Sequence, residues 1–461
     1  MPDTAPYKAD VAIIGSGLTG LVTAFWLGKK GIDTIIIEKA SKTGGVIGTV
    51  QEEEFIYETG PNTGIVAHPE VSELFDELNG LCRMEPADER AKKRLIWKDG
   101  RWHPLPGGLT EAIKTPLFST SDKFRLLLEP FRKKGRDPFE SLESMVKRRL
   151  GQSFLDYAVD PFISGIYAGD PAYLVPRYAL PKLYALEQDY GSFIMGAVGK
   201  MLKKKDAGEK RATREVFSVD GGLANLVRAL ESKTGTGKIF TGIADLAATP
   251  FNSGYMLHGK KEGLEIAFKS EFVIPTVNPH EYGDLLPFID SRELSLLKSL
   301  EYAMVVQVVM GFRQWKGMDL NAFGGLVPSR EKRDILGILF PSSFLKNRAP
   351  EGGALLSVFL GGYRRPEIWS LTDDQLTDMA LGETAEMLCL SECRPDILKI
   401  FRYKRAIPQY GKNTQERLET IARLHSGYRG LLLAGNIHEG IGMADRIRQG
   451  KRIAEHVAGA F

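Results

Sequence analysis

Gly15, Gly17, Gly20 and Glu38 have the residue types and spacing to hold a dinucleotide. In Asp10-Val11-Ala12-Ile13-Ile14-Gly15-Ser16-Gly17-Leu18-Thr19-Gly20 an apolar strand enters a glycine turn, and the turn opens a helix. A second apolar strand, Thr34-Ile35-Ile36-Ile37, ends on Glu38 about 20 residues later, the spacing of a dinucleotide-binding βαβ unit. Gly15 makes the tight turn, Gly17 lets backbone amides approach a pyrophosphate, and Gly20 lets the helix pack closely on the strand. The phosphates would lie at a helix N-terminus, where free amides and the helix dipole favour negative charge. Glu38 would accept hydrogen bonds from ribose hydroxyls, which favours a free 2′-OH. On these residues the cofactor is FAD or NAD.

Two further glycine elements bear on that choice. Thr43-Gly44-Gly45-Val46-Ile47-Gly48-Thr49 follows the acid almost directly, and Tyr57-Glu58-Thr59-Gly60-Pro61-Asn62-Thr63 supplies a rigid turn after it. A second glycine pair beside the first turn is frequent in FAD proteins of the two-dinucleotide type and uncommon in plain nicotinamide dehydrogenases, so FAD is favoured. Near the C-terminus, Gly430-Leu431-Leu432-Leu433-Ala434-Gly435-Asn436 and Gly440-Ile441-Gly442-Met443 bring a strand to a helix N-terminus through glycines. In an FAD protein that element would meet the flavin pyrimidine and the ribityl chain.

Other reactive constellations are missing. No Ser-His-Asp or paired-carboxylate arrangement is defensible, and His103 in Trp102-His103-Pro104 reads as structural, so no catalytic acid or base is assigned. Cys82, Cys389 and Cys393 contain no C-x-x-C pair and the seven histidines are scattered, so no metal site is expected. Those thiols read as reduced, in a cytoplasmic setting. Met1 to Asp10 has no basic stretch followed by an apolar run, so no export or transit peptide is expected. No stretch approaches the roughly 18 apolar residues of a membrane-spanning helix.

The elements that must position these residues form an α/β chain. At 461 residues it exceeds one core. We divide it into a discontinuous Rossmann-like FAD-binding domain (1–86, 215–300 and 428–461), a mostly helical membrane-associating and substrate-access region (87–214), and a mixed-sheet substrate-binding domain (301–427). Helices are predicted over Pro69 to Leu81, Asp373 to Leu390 and Thr414 to Leu424, and strands over 216–219, near 239–246, and over 272–276, 302–312 and 355–360. Residues 87–214 read as helices separated by proline-rich turns, ending in a mobile segment, Lys200 to Arg214. Net charge is +3, yet residues 87–214 hold 25 Lys and Arg against 16 Asp and Glu. There Phe118, Phe124, Leu126, Leu127, Leu128, Pro130 and Phe131 stand beside Arg132-Lys133-Lys134, with Lys203-Lys204-Lys205 later, a pattern suited to an anionic membrane surface. No reader motif accompanies the charge, so nucleic acid is not an expected partner.

Asp160-Pro161-Phe162-Ile163-Ser164-Gly165-Ile166-Tyr167-Ala168-Gly169-Asp170-Pro171, Leu326-Val327-Pro328-Ser329 and Ala406-Ile407-Pro408-Gln409-Tyr410, together with the glycine elements, carry a resemblance that runs from end to end. The chain resembles the oxygen-dependent protoporphyrinogen oxidases, flavoenzymes of haem biosynthesis within the amine-oxidase-like FAD family. The resemblance implies FAD contacts at Gly15, Ser16, Gly17, Leu18, Thr19, Gly20, Glu38, Lys39, Gly45, Val46, Gly60, Pro61, Asn62, Thr63, Asn436, Ile441, Gly442 and Met443, plus a backbone contact near Ala244. Val46 departs from the pattern, because relatives often carry Arg there; backbone amides or another base would have to meet the phosphate.

For substrate, the resemblance implies that Arg94 meets a propionate with two parallel hydrogen bonds. It implies that Gly165 leaves room for a macrocycle, and that Leu326 with Phe344 or Leu345 sandwich it. The implied reaction takes protoporphyrinogen IX to protoporphyrin IX by repeated two-electron steps with O2 as acceptor. The implied setting is cytoplasmic, peripheral on an anionic membrane face, and a homodimer is compatible with it. The alternatives are a coproporphyrinogen III oxidase of the same fold and, from another class, a non-catalytic flavin- and tetrapyrrole-binding protein. Amine oxidases and carotenoid desaturases share the glycine elements but lack the 160–171 match.

Overall fold

The computed structural model describes residues 5–107, 111, 114–202 and 207–461. The expectation for Lys203, Lys204 and Lys205 falls outside the described residues.

The nucleotide sheet is parallel, in the order Ile239–Phe240, Thr34–Ile37, Val11–Ile14, Phe272–Pro275, and Val273 adds a parallel bridge to Leu431. Val11–Ile14 and Thr34–Ile37 are buried at every position, as strands covered on both faces must be. Leu18–Lys29, Ala224–Thr234 and the C-terminal helix Met443–Ala458 cover one face through Leu21, Val22, Leu226, Leu230, Ile447 and Val457. On the other face lie an antiparallel meander, residues 243–270, and the buried side chains Tyr282, Leu286 and Leu297.

The second sheet has seven strands in the order Ile397–Gln409, Glu301–Phe312, Ala354–Gly361, Ile335–Leu339, Gly324–Leu326, Arg94–Lys98, Arg101–Pro104. Only the Gly324–Leu326 and Arg94–Lys98 pair is parallel, which makes the sheet mixed. The fold is thus α/β, with a parallel nucleotide sheet and a mixed sheet.

One reading is corrected. Residues 94–104 are not helical: they form a hairpin turning at Asp99 and Gly100, both at positive φ, and its first strand joins the mixed sheet. Leu95, Ile96 and Trp97 make a short buried run that helical periodicity misreads. The remainder of the insertion is largely helical, with Thr120–Leu127, Leu142–Arg149, Asp160–Ile166, Pro181–Tyr190 and Phe193–Leu202. Its centre is ionic: Arg149, Glu129 and Glu187 are almost completely buried, and Ser192 and the Phe193 amide also donate to Glu129. Past the undescribed lysines, Ala207–Arg211 is helical, and Arg211 pairs with Asp76. That part of the expected mobile segment is held to the nucleotide domain.

Candidate functional site

The glycine turn is built as its residues require. Gly15 has φ +100°, and a Cβ on Gly20 would stand 2.1 Å from the Gly15 carbonyl oxygen, so only glycine fits at position 20. A Cβ on Gly17 would meet nothing within 4 Å; this is the open side of the turn. The helix behind it starts with no acidic residue in its first turn and no side-chain cap, which leaves its amides available to an anion. The buried Thr19 hydroxyl also lacks a hydrogen-bond partner among the described residues. Glu38 lies at the same turn: one carboxylate oxygen accepts from the Ser16 amide and hydroxyl, both at 2.7 Å, and the other accepts from the Ala40 amide. Lys39 is exposed.

The second and third elements close on the first. The Gly44 amide donates to the Ser16 carbonyl, and a Cβ on Gly45 would stand 3.3 Å from the Gly17 Cα. Val46 projects into solvent at 57 % exposure. A Cβ on Gly60 would collide with the Val46 carbonyl at 2.0 Å, so the Gly60-Pro61-Asn62-Thr63 turn lies directly on the second glycine pair. Three side chains of the mixed sheet reach back to this turn. The Gln307 amide donates to the Glu58 carbonyl, the Ser357 hydroxyl donates to the Asn62 side chain at 3.1 Å, and the Tyr403 hydroxyl donates to the Thr59 carbonyl.

The C-terminal element arrives at the same place. A Cβ on Gly435 would stand 2.6 Å from the Thr276 carbonyl, and the Thr276 hydroxyl in turn donates to the carbonyls that end the first strand. The Asn436 side chain accepts from the Tyr302 hydroxyl, and the Tyr410 hydroxyl donates to the carbonyls of Asn436 and Gly440. One guanidinium nitrogen of Arg446 donates to the carbonyls of His438, Glu439 and Gly440, fixing the loop that leads to Ile441, Gly442 and Met443. Asp445 accepts from the Gly442 amide and from His68. Burial pushes its carboxyl upward, but those hydrogen bonds outweigh burial and hold it below the usual carboxylate range.

Tyr302, Gln307, Ser357, Tyr403, Tyr410 and Arg446 are residues of the site that the glycine motifs alone do not point to. Tyr410 ends the segment Ala406-Ile407-Pro408-Gln409-Tyr410, and Arg446 sits just past the last glycine element. The others are ordinary members of β-prone runs, and only the sheet pairing brings them to the glycine turns.

A cavity of about 90 Å³ opens beside the mixed sheet. It is lined by Arg94, Gly165, Ile166, Leu326, Phe359 and their neighbours, with Gly324, Gly325 and Gly337 as a strip nearly free of side chains. Arg94 is the only charged residue in the lining. Its guanidinium stands 5.4 Å from the centre of the Phe323 ring, and no ion pair holds it among the described residues. Burial pushes it below the usual arginine range. Gly165 and Leu326 face one another: a Cβ on Gly165 would stand 2.3 Å from the Leu326 Cδ2. The structure thus brings together Arg94, Gly165 and Leu326. It does not place Phe344 or Leu345 on the cavity; both are buried behind Phe323, on which Phe344 stacks at 4.6 Å. His103 is buried on the outer strand of the sheet, and burial pushes its imidazole pKa down.

The three glycine elements, the open amides of the first helix and the unpartnered Thr19 hydroxyl fit a dinucleotide. The flavin containing amine oxidoreductase family model matches residues 18–458. Protoporphyrinogen oxidase 2, chloroplastic/mitochondrial, of Arabidopsis thaliana is 28% identical over 97% of this chain and 93% of that protein. Coproporphyrinogen III oxidase of Bacillus subtilis is 25% identical over 96% of this chain and 97% of its own length. A crystal structure from Exiguobacterium sp. 255-15 superposes with a TM-score of 0.81 at 21% identity, over 99% of this chain and 100% of that one. The chain is an oxidoreductase that uses FAD, and it belongs to the flavin containing amine oxidoreductase family.

Proposed function

We propose that the protein oxidises protoporphyrinogen IX to protoporphyrin IX in haem biosynthesis, with O2 as the final electron acceptor. The observation that carries the reading is the cavity: a guanidinium with no ion pair among the described residues stands among apolar side chains, which suits a carboxylate arm and the edge of an apolar ring system, although at about 90 Å³ the slot takes that edge and not a whole macrocycle. A propionate on Arg94 would gain two charge-assisted hydrogen bonds and relieve an unpaired, half-buried charge. Gly165 and Leu326 touch at one end of the slot, so a ring edge would lie beside that contact and be limited in its tilt by it. FAD, when bound, supplies a two-electron acceptor, and each two-electron oxidation of the substrate is balanced by reduction of one O2 to hydrogen peroxide. The chain's own part is to bind, orient and desolvate the substrate, with Arg94 the titratable side chain that the described lining offers to it.

The B. subtilis relative supports a second reading, oxidation of coproporphyrinogen III. That substrate carries four propionates, and a lining with a single cation favours the dicarboxylate. Steady-state oxidation of the two porphyrinogens, followed by porphyrin fluorescence, tests the choice: a higher kcat/KM for protoporphyrinogen IX is expected, and preference for the tetracarboxylate would overturn it.

We further propose that the helical insertion contacts the cytoplasmic face of an anionic membrane. Phe131 and Met201 are each 85 % exposed, and Phe124, Leu127, Leu128 and Leu202 are also mostly exposed. No helix among the described residues is long and apolar enough to cross a membrane. Phe131 adjoins Arg132, Lys133 and Lys134. Arg132 and Lys134 donate to the carbonyls of Arg148 and Gln188, so part of that charge is committed to the fold.

A further inference from the structure

We propose that Asp160 and Arg364 form a clamp that sets the separation of the two walls of the substrate slot, and are therefore specificity-determining positioning residues. The inference rests on the cavity being the porphyrinogen site.

One wall is the helix that carries Gly165. Its course is unusual: an α-turn at Gln152–Phe154 runs into a π-turn at Leu155–Val159 and then into Asp160–Ile166. Pro161 accounts for the irregularity, because a proline inside a helix has no amide to donate and its ring crowds the preceding turn. A π-turn absorbs the extra residue, and such turns concentrate at functional sites. The opposite wall is the strand Gly324–Leu326 and the chain just beyond it.

Asp160 joins the two. Its side chain is 8 % exposed, and it accepts from the Ser329 amide at 2.8 Å, the Ser329 hydroxyl at 3.2 Å and the Arg364 guanidinium. Ser329 lies three residues after Leu326, and Asp160 five residues before Gly165, so the clamp ties the two walls close to the point where Gly165 and Leu326 touch and the slot begins. The other guanidinium nitrogen of Arg364 donates to Asp170 at 2.8 Å, beyond the far end of the same helix. Next to Arg364, the Tyr363 amide donates to the Ala168 carbonyl. Two segments that line the cavity, and the turn just past the strand that carries Phe359, thus meet at one nearly buried carboxylate. Two more links, Arg330 to Asp156 and Tyr157 to Glu331, lie a turn earlier in the helix and hold the seam at its remote end. An apolar contact could stabilise the seam equally well; directed hydrogen bonds to a backbone amide add a fixed spacing, as a slot for a rigid ring requires.

The test uses FAD-loaded Asp160→Ala, Arg364→Ala and Arg364→Lys proteins, read by amide hydrogen exchange and by kinetics on both porphyrinogens. In Asp160→Ala, exchange over 161–166 and 324–329 should rise together, by about tenfold for a locally opened unit. The kcat/KM ratio of tetracarboxylate to dicarboxylate substrate should rise by about tenfold, with FAD content unchanged. Arg364→Lys should restore most of the selectivity lost in Arg364→Ala. Exchange over 324–329 that stays at the wild-type level, or equal losses on both substrates, would overturn the clamp. Should the wild type oxidise neither porphyrinogen, the proposed function falls, while the exchange measurement still decides whether Asp160 couples the walls. If Asp160→Ala does not fold, Arg364→Ala carries the same comparison from a side chain 35 % exposed.

Discussion

Arg94 shows what a single residue adds to an apolar slot. A charge-assisted hydrogen bond contributes about 1.5–3 kcal/mol, so Arg94→Ala should raise KM by about 10–100-fold and leave kcat little changed. Steady-state kinetics checks this, and an unchanged KM removes Arg94 from the substrate site. Gly20→Ala belongs to the same scale. Its Cβ would overlap the Gly15 carbonyl, the turn would have to open, and the purified protein should lack the flavin absorbance of the wild type. Gly20 was legible in the sequence because glycine spacing encodes backbone approach directly; for Arg94 the matched position pointed to a propionate, and the structure adds its place in the cavity lining. Tyr302 and Tyr410 were not legible, because their role is a hydrogen bond to a loop that folds back from the far end of the chain.

Among the elements, the helix Thr414–Gly427 is tied to the extended chain at Leu433, which joins the nucleotide sheet only by the bridge at Leu431, through a histidine that must stay neutral. His425 Nε2 accepts from the Leu433 amide at 2.9 Å, and burial pushes its pKa down to about 4. An unfolded histidine titrates near 6.5, so between those values the unfolded state binds the extra proton. Stability is therefore complete above about pH 6.5 and falls as the pH drops towards 4, by on the order of 2–3 kcal/mol from this residue alone. Burial also lowers the pKa of His280 and His438, which steepens the loss. Thermal melts at pH 7.5 and 5 should show it, and His425→Gln should flatten the profile; a Tm independent of pH across that window would refute the assignment. The helix Asp373–Met387 was legible from its helical spacing, and Glu301–Phe312 from an unbroken β-prone apolar run, buried at every position from Val305 to Phe312. The hairpin at 94–104 was hidden because its first strand pairs with residues more than 200 positions away.

Across the whole molecule, a buried guanidinium joins the parts. Arg348, 2 % exposed, pairs with Glu85 at 3.3 Å and faces Glu58 at 3.6 Å, and burial pushes the Glu58 carboxyl up despite its hydrogen bonds. Arg348→Met would leave two buried carboxylates without their cation, at a cost of about 3–5 kcal/mol. Chemical denaturation of the variant should show a lower midpoint, and equal stability would mean that the carboxylates are protonated in the native state. At this scale too, Phe131→Ser combined with Met201→Ser should weaken binding to anionic vesicles by about tenfold or more, since two large exposed side chains lose their apolar area. Unaltered partitioning would show that the exposed side chains do not touch lipid.

The nucleotide sheet has a consequence for how the chain is made. Val11–Ile14 pairs on one side with Thr34–Ile37 and on the other with Phe272–Pro275, and Val273 then bridges to Leu431. The first strand emerges from the ribosome long before its second neighbour, and the loop with Asn436 emerges last. Pairings of such separation form late, because loop closure must precede their reward. Nascent chains arrested before residue 428 should therefore hold the first glycine turn without retaining flavin, and cofactor capture should require that residues 430–443 have emerged.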